Sequence, residues 1–299
     1  MSALTYAQQF SHNVSIDSSV EKMCKGQDHA YHGIFIDDET GETGKWGMIT
    51  DGHGSNTCIN YLRSIPQSDM NNVMGNPSPA EALFKMVNQF SNVWSREASG
   101  TTMCLVKIYR DRIVCINVGD SQAAVYKNGE LAFLTETHDS FNEKEIARLT
   151  KENPNLDFYA SQSIEITTDG KMYSVPSKYI IHNNHITLAL TQALGHCGIT
   201  GCAPDTTTIP YGPEDTMRIV IGSDGFWDMV VQKDAAEVLS FADKSSDELL
   251  KFSVDRWLQP WEMCRDREVG KFETGSFRKE ECDDVGVLKI DIVPREEMV

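Results

Sequence analysis

Short apolar blocks separated by turn-forming residues run through much of this 299-residue chain. Blocks at 31–36 and 46–51 flank Asp37-Asp38-Glu39-Thr40-Gly41-Glu42-Thr43-Gly44, which predicts a hairpin. Further strand-like runs follow at 102–109, 112–118, 123–127 and 130–134. Asn128-Gly129, between the last two, is a strong hairpin signal because such turns need positive φ. Strands are also predicted at 205–211, 216–221 and 285–292. Elsewhere the period changes. Ile59, Leu62 and Ile65 share one helical face over 55–65, and Leu83, Met86, Val87, Phe90 and Trp94 share one over 79–95. Helices are predicted at 142–151, 233–242 and 246–258; Asp247 and Glu248 open the last, where negative charge suits the helix dipole.

The stretch 154–185 follows neither period and reads as a surface excursion, a flap or insertion between core elements. The charged, glycine-containing 263–278 reads as a loop. No repeat or linker-like stretch interrupts the pattern, so residues 1–299 are expected to form one domain. Its class is α+β, with a sandwich of antiparallel sheets.

Composition narrows the picture. Apolar residues make up 40% and charged residues 24%, enough for a real core. The net charge of −17 argues against nucleic-acid or anionic-membrane partners, which need a basic surface. It fits an acidic solvated surface together with a carboxylate-rich site. The eight cysteines include no C-x-x-C pair, and Cys104 and Cys115 sit in apolar runs, so buried free thiols are expected. Residues 1–19 lack a hydrophobic signal core, and no apolar run approaches the roughly 20 residues of a membrane span. These features predict a cytoplasmic or nuclear monomer.

Four aspartate motifs change the reading more than composition does. They are Asp51-Gly52-His53-Gly54, Val118-Gly119-Asp120-Ser121, Gly222-Ser223-Asp224-Gly225 and Cys282-Asp283-Asp284-Val285. Each follows a strand-like run, the last one, 278–282, short and polar. A strand ending in Asp-Gly puts a carboxylate beside backbone that can approach closely. Several such motifs suggest carboxylates converging on hard cations, because Mg and Mn prefer oxygen ligands. Phe226 and Trp227 are read as core packing, and His138 as structural.

With Gln27-Asp28, Ser99-Gly100-Thr101-Thr102 and Ala193-Leu194-Gly195, these motifs resemble the protein phosphatase 2C family in order from about residue 26 to 293. That family consists of metal-dependent Ser/Thr phosphatases (PPM type). The resemblance implies a central β-sandwich of two antiparallel sheets flanked by helices, with two Mg or Mn ions at one end. Carried over by motif, Asp51 would bridge both ions, the Gly52 carbonyl would bind the second, and Asp224 and Asp283 the first. Gln27 and Asp28 would hold metal-associated water, and His53 would be the general acid for the leaving oxygen, a role that a near-neutral pKa suits. The implied reaction is hydrolysis of phosphoserine and phosphothreonine in protein substrates by a hydroxide between ions about 3.5–4 Å apart. Asp120 would structure its turn rather than bind metal.

The chain departs from the family at three places. Thr137 stands where an Asp usually serves a weaker third ion, with Asp139 two residues on. Gln192 and His196 replace Arg and Asp around Ala193-Leu194-Gly195. Met23 occupies the position of a phosphate-binding Arg. If the segment is extended, Lys25 shares a face with Met23 and would stand in as a point charge. The departures leave a rival reading, a catalytically weak scaffold that binds signalling partners.

Overall fold

A computed structural model describes residues 11–91, 99–154, 156–182, 186–231, 234–265 and 270–295. Two five-stranded antiparallel sheets make its centre. One runs, in spatial order, His12–Glu21, Val285–Pro294, Met217–Gly222, Gln122–Lys127, Glu130–Leu134. The other runs Asp205–Pro210, Arg112–Val118, Met103–Ile108, Thr43–Thr50, His29–Ile36.

Period-2 alternation assigns each strand's side chains to two cores. Ile219, Ile221, Leu288 and Ile290 from the first sheet meet Ile49, Cys104, Val106 and Cys115 from the second. Their strand neighbours point outward. Val220, Val285 and Val287 pack with Phe241, Leu249 and Trp257, on or beside the helices Ala235–Ser240 and Ser246–Leu258. Met48, Leu105 and Val118 pack against the helices Thr57–Ser64, Gln67–Gly75 and Pro79–Ser91 through Leu62, Met74 and Leu83. Strands apolar on both faces therefore appear as unbroken apolar runs. The result is a helix-flanked sandwich.

Several elements differ from the sequence expectation. His12–Glu21 is a ten-residue strand paired with Val285–Pro294, although its polar alternation gave no strong signal. Gln67–Gly75 is a helix beginning directly after Pro66, whose fixed φ suits a helix start. The stretch 154–185 contains a long hairpin, Asp157–Ile166 with Met172–His182. The expected loop at 263–278 contributes two strands: Trp261–Cys264 pairs in parallel with the hairpin and antiparallel with Glu273–Gly275. These strands form a separate sheet whose apolar contacts gather at a few positions, among them Ile166, Met172 and Trp261, so no hydrophobic period marked them. Residues 279–281 form a 3₁₀ turn, so Asp283 precedes a strand instead of ending one. The helix face expected to include Phe90 and Trp94 lies, at those two side chains, outside the described residues. Among the described residues no disulfide is formed; five of the thiols are buried as expected, whereas Cys24 and Cys197 are exposed. Among the described residues no helix is long and apolar enough to cross a membrane.

Candidate metal centre

Asp51 follows Thr43–Thr50 at the sandwich end, where the chain turns into the short strand Gly52–Gly54. That strand pairs with Ser99–Thr101, which also pairs with Leu194–Gly195. The Asp51 N–H donates to Thr102 Oγ1 at 3.0 Å, and its carbonyl accepts from Thr101 Oγ1 and the Thr102 N–H, each at 2.8 Å. Thr102 Oγ1 lies 2.7 Å from Ser121 Oγ, which ties this turn to the Asp120 turn. Gly119 bends that turn at φ +102°. His138 braces it: the Gly119 N–H donates to Nδ1 at 3.1 Å, leaving Nε2 to carry the proton facing Asp205 at 3.2 Å. His138 is structural, as its sequence context suggested.

Asp224 opens the short helix Asp224–Trp227 after Met217–Gly222. A Cβ at Gly225 would lie 2.0 Å from the Asp284 carbonyl oxygen, so only glycine lets this helix abut residues 283–285. Asp284 works as a clamp. Its carboxylate accepts from the N–H groups of Met23 at 2.8 Å, Cys24 at 3.0 Å and Gln27 at 2.8 Å. It thereby fixes the loop that carries Gln27 and Asp28. Arg63 Nη2 donates to the Gly26 and Asp28 carbonyls, each at 3.1 Å, from the other side.

The electrostatics of the cluster are lopsided. Burial first, then Asp224, Asp28 and Asp283, raises the Asp51 pKa well above the ordinary carboxylate range. Asp28 and Asp120 are raised in the same direction, burial leading and neighbouring aspartates adding to it. Asp283 is an exposed residue, but shielding of its carboxylate by the surrounding chain, and then Asp224, push it up to about 7, with Lys25 acting in the opposite direction. Both Asp28 carboxylate oxygens, one each of Asp120 and Asp224, and Gln27 Oε1 are buried without a hydrogen-bond partner among the described residues. The Gln27 amide is oriented by its other end: Nε2 donates to the Gly54 carbonyl at 3.0 Å and Asn56 Oδ1 at 2.7 Å. Repelling, unpartnered oxygen donors in one buried place fit divalent cations.

A cavity of about 440 Å³ adjoins the cluster. Asp120, Asp139, Asp224, Asp228 and Asp283 line it, and the long hairpin contributes Ile164 and Tyr179. Thr137 also lines it, so Asp139 supplies a carboxylate where Thr137 cannot.

The ligand atoms of Asp51, His53 and Asp120 lie within 4.8 Å of one another. Asp120 thus lies beside Asp51 and His53 as well as shaping its turn, a proximity that the sequence alone did not show. His53 also differs from expectation: burial first, then His196 and Lys25, lowers its pKa to about 3 instead of leaving it near neutral. Met23 is buried in the same apolar cluster as Phe226, Val285 and Val287, and 22–28 is a loop with a bend at 23–25, not a strand. The alternation argument for Lys25 therefore fails. Lys25 is nevertheless exposed, and its charge reaches both His53 and Asp283. Phe226 and Trp227 are buried in the core, as expected. Sequence reasoning missed Asp284 as a clamp and His196 as a neighbour of His53. The doubled aspartate at 283–284 was the available signal for the first.

The sequence profile of Protein phosphatase 2C matches residues 42–254, most of the chain. The chain belongs to the protein phosphatase 2C family. The profile spans Asp51, His53, Asp120 and Asp224 and stops before Asp283. Protein phosphatase 1B of Homo sapiens is 26% identical over 164 residues, covering 51% of this chain and 29% of the human protein. The chain therefore matches less than a third of that curated relative's length. A serine-threonine phosphatase 2C from Toxoplasma gondii superposes with a TM-score of 0.60 at 11% identity, covering 94% of this chain and 95% of the other. A C. elegans sex determining protein superposes with a TM-score of 0.57 at 20% identity, covering 94% and 64%. At such identities the superpositions show the protein phosphatase 2C fold.

Proposed function

We propose that this chain is a Mg- or Mn-dependent phosphatase acting on phosphoserine and phosphothreonine in proteins. The observation that carries the reading is the buried set of unpartnered oxygens on Asp28, Asp120, Asp224 and Gln27 around Asp51. Two ions, when bound, supply a water of lowered pKa and positive charge opposite the phosphate. Asp51 lies among the other carboxylates, which suits it to serve both ions, with the Gly52 carbonyl beside it. Asp224 and Asp283, held together across Gly225, would hold one of them. Gln27 Oε1 and Asp28 face the cluster as acceptors, suited to fixing water. Asp139 on the cavity wall would serve a third, weaker ion.

His53 remains the group suited to the leaving oxygen. A neutral imidazole still offers an N–H there, and a phosphate dianion beside the ring raises its pKa. Lys25 would meet the phosphate as a point charge rather than a bidentate fork. The burial of Met23 favours the rival scaffold reading, since the family's guanidinium position is taken up by core packing.

The test is Mn-dependent phosphate release from a phosphothreonine peptide and from p-nitrophenyl phosphate, with Asp224→Asn as the blank. Wild type should turn over both and the variant neither. His53→Gln should slow the peptide about 10²–10⁴-fold, the usual scale of general-acid assistance, and p-nitrophenyl phosphate far less. Mn binding without turnover in wild type would establish the scaffold instead.

A further inference from the structure

The eight thiols are not equivalent. Cys24 is exposed in the bend at 23–25, whereas Cys282 is buried in the apolar cluster that holds Met23, Val285 and Val287. The ladder between His12–Glu21 and Val285–Pro294 ends with Glu21 opposite Val285. Continued three residues further, the same register sets Cys24 opposite Cys282. Directly opposed residues of an antiparallel pair lie about 4.5–5.5 Å apart at Cα, inside the roughly 4.4–6.8 Å that a disulfide spans.

Regular pairing stops at Glu21, but side chains hold the two segments together beyond it. The Asp284 carboxylate accepts from the Met23 and Cys24 N–H groups at 2.8 and 3.0 Å. Lys279 Nζ reaches Glu21 Oε1 at 2.6 Å. Cys282 lies between Lys279 and Asp284, so the two ties bracket it against residues 21–24. Its Sγ donates to the Arg278 carbonyl at 3.2 Å, and the two sulfurs are near enough for the charge of one to act on the other.

We propose that Cys24 and Cys282 join as a disulfide when the protein meets a peroxide, and that this bond weakens Mn binding by displacing the loop that carries Gln27 and Asp28. The Cys24 sulfur attacks one peroxide oxygen, the O–O bond breaks, and a sulfenic acid forms as one water leaves. The Cys282 sulfur then attacks the Cys24 sulfur. The S–S bond forms, and the displaced hydroxyl leaves with the remaining thiol proton as a second water. Two thiols are oxidised and one peroxide is reduced to two waters. Exposure lets the peroxide reach Cys24 first, and burial reserves Cys282 for the second step. Joining an outward sulfur to an inward one turns residue 24 toward residue 282, which pulls on the adjoining Asp284 hydrogen bonds. Cys282 also adjoins Asp283, an ion ligand in the proposed function. The effect on Mn rests on that reading; the disulfide itself does not.

The full chain, reduced and metal-free, is treated with hydrogen peroxide and digested without reductant for mass mapping. Mn affinity is read by calorimetry before treatment and after the peroxide is removed. Wild type should yield a peptide pair joined through Cys24 and Cys282, two hydrogens lighter than its reduced halves. Mn affinity should fall about tenfold or more, the usual scale for disturbing an ion's outer shell, and dithiothreitol should restore it. Cys24→Ser, at an exposed position, should lose both effects, whereas Cys197→Ser, which removes the other exposed thiol, should keep them. A Cys24 that oxidises to sulfinic acid without a partner, or that pairs with a different cysteine or a second chain, would overturn the proposal. So would a Cys24–Cys282 link at unchanged Mn affinity. Should reduced wild type bind no Mn, the metal reading and the Mn effect fall together, while the mass map still decides the disulfide.

Discussion

Met23 and Lys25 show how far a single side chain's direction decides what a substitution does. Counting along the sequence makes Met23→Arg a restoration of a phosphate grip. The structure buries that side chain beside Val285 and Val287, so the substitution puts a guanidinium into a core. An uncompensated buried charge costs about 3–5 kcal/mol. Chemical denaturation should register a loss of that size, with no fall in phosphopeptide KM. Lys25→Ala is the informative change at this scale. It should raise phosphopeptide KM and leave the denaturation midpoint near wild type, because the side chain is exposed. An unchanged KM would mean that another basic residue meets the phosphate.

Between elements, two contacts hold the donors in place without touching an ion. Gly225 lets the helix that begins at Asp224 lie against residues 283–285. Gly225→Ala forces them apart, with an overpacking cost of about 1–3 kcal/mol. Mn affinity should fall along with stability, and calorimetric titration at wild-type affinity would refute the coupling. Asp284 gathers three N–H groups of the loop at 23–27. Asp284→Ala orphans all three, at about 1–3 kcal/mol each. It should destabilise the protein by several kcal/mol, and Asp284→Asn by less, since an amide oxygen still accepts. Equal losses in the two variants would indicate that charge, not the count of hydrogen bonds, is what the loop needs.

Across the whole molecule, both sheets deliver aspartates to one end, and the folded state concentrates like charge there. Raised folded-state pKa values give a definite sign. Asp283, near 7 when folded and near the ordinary carboxylate value when unfolded, favours folding at low pH; that contribution fades as pH climbs from about 4 through 7. Asp28, Asp51 and Asp120 shift in the same direction. Metal-stripped protein should therefore melt at progressively lower temperature between pH 5 and pH 8, as read by scanning calorimetry. Saturating Mn should reverse the trend, because ions replace protons as the neutralising charge and bind more tightly as the carboxylates ionise. A metal-free melting temperature that rises over this window would show that the cluster's repulsion does not govern stability.

The central strands of the sandwich were legible in the chain because both their faces are buried, which writes a continuous apolar run; the edge strand His12–Glu21, polar on one face, was not. The flanking helices were legible because one face of each is buried, which writes a period near four. Asp51 and Asp224 stood out in the chain because an aspartate beside glycine at a strand end carries its geometry locally, whereas Asp283 precedes its strand and His53 was singled out through the family resemblance. The hairpin Asp157–Ile166 with Met172–His182 was not, since it lies outside the sandwich and buries too little for a period to form. Nor were the burial of Met23, the clamp at Asp284, the membership of Asp120, or the pairing of His196 with His53. Each joins residues far apart in the chain, and the direction of a side chain in a bend or a left-handed turn is set by what packs against it. Local sequence determines which groups are available at the end of the sandwich; only the tertiary packing decides which of them face one another there.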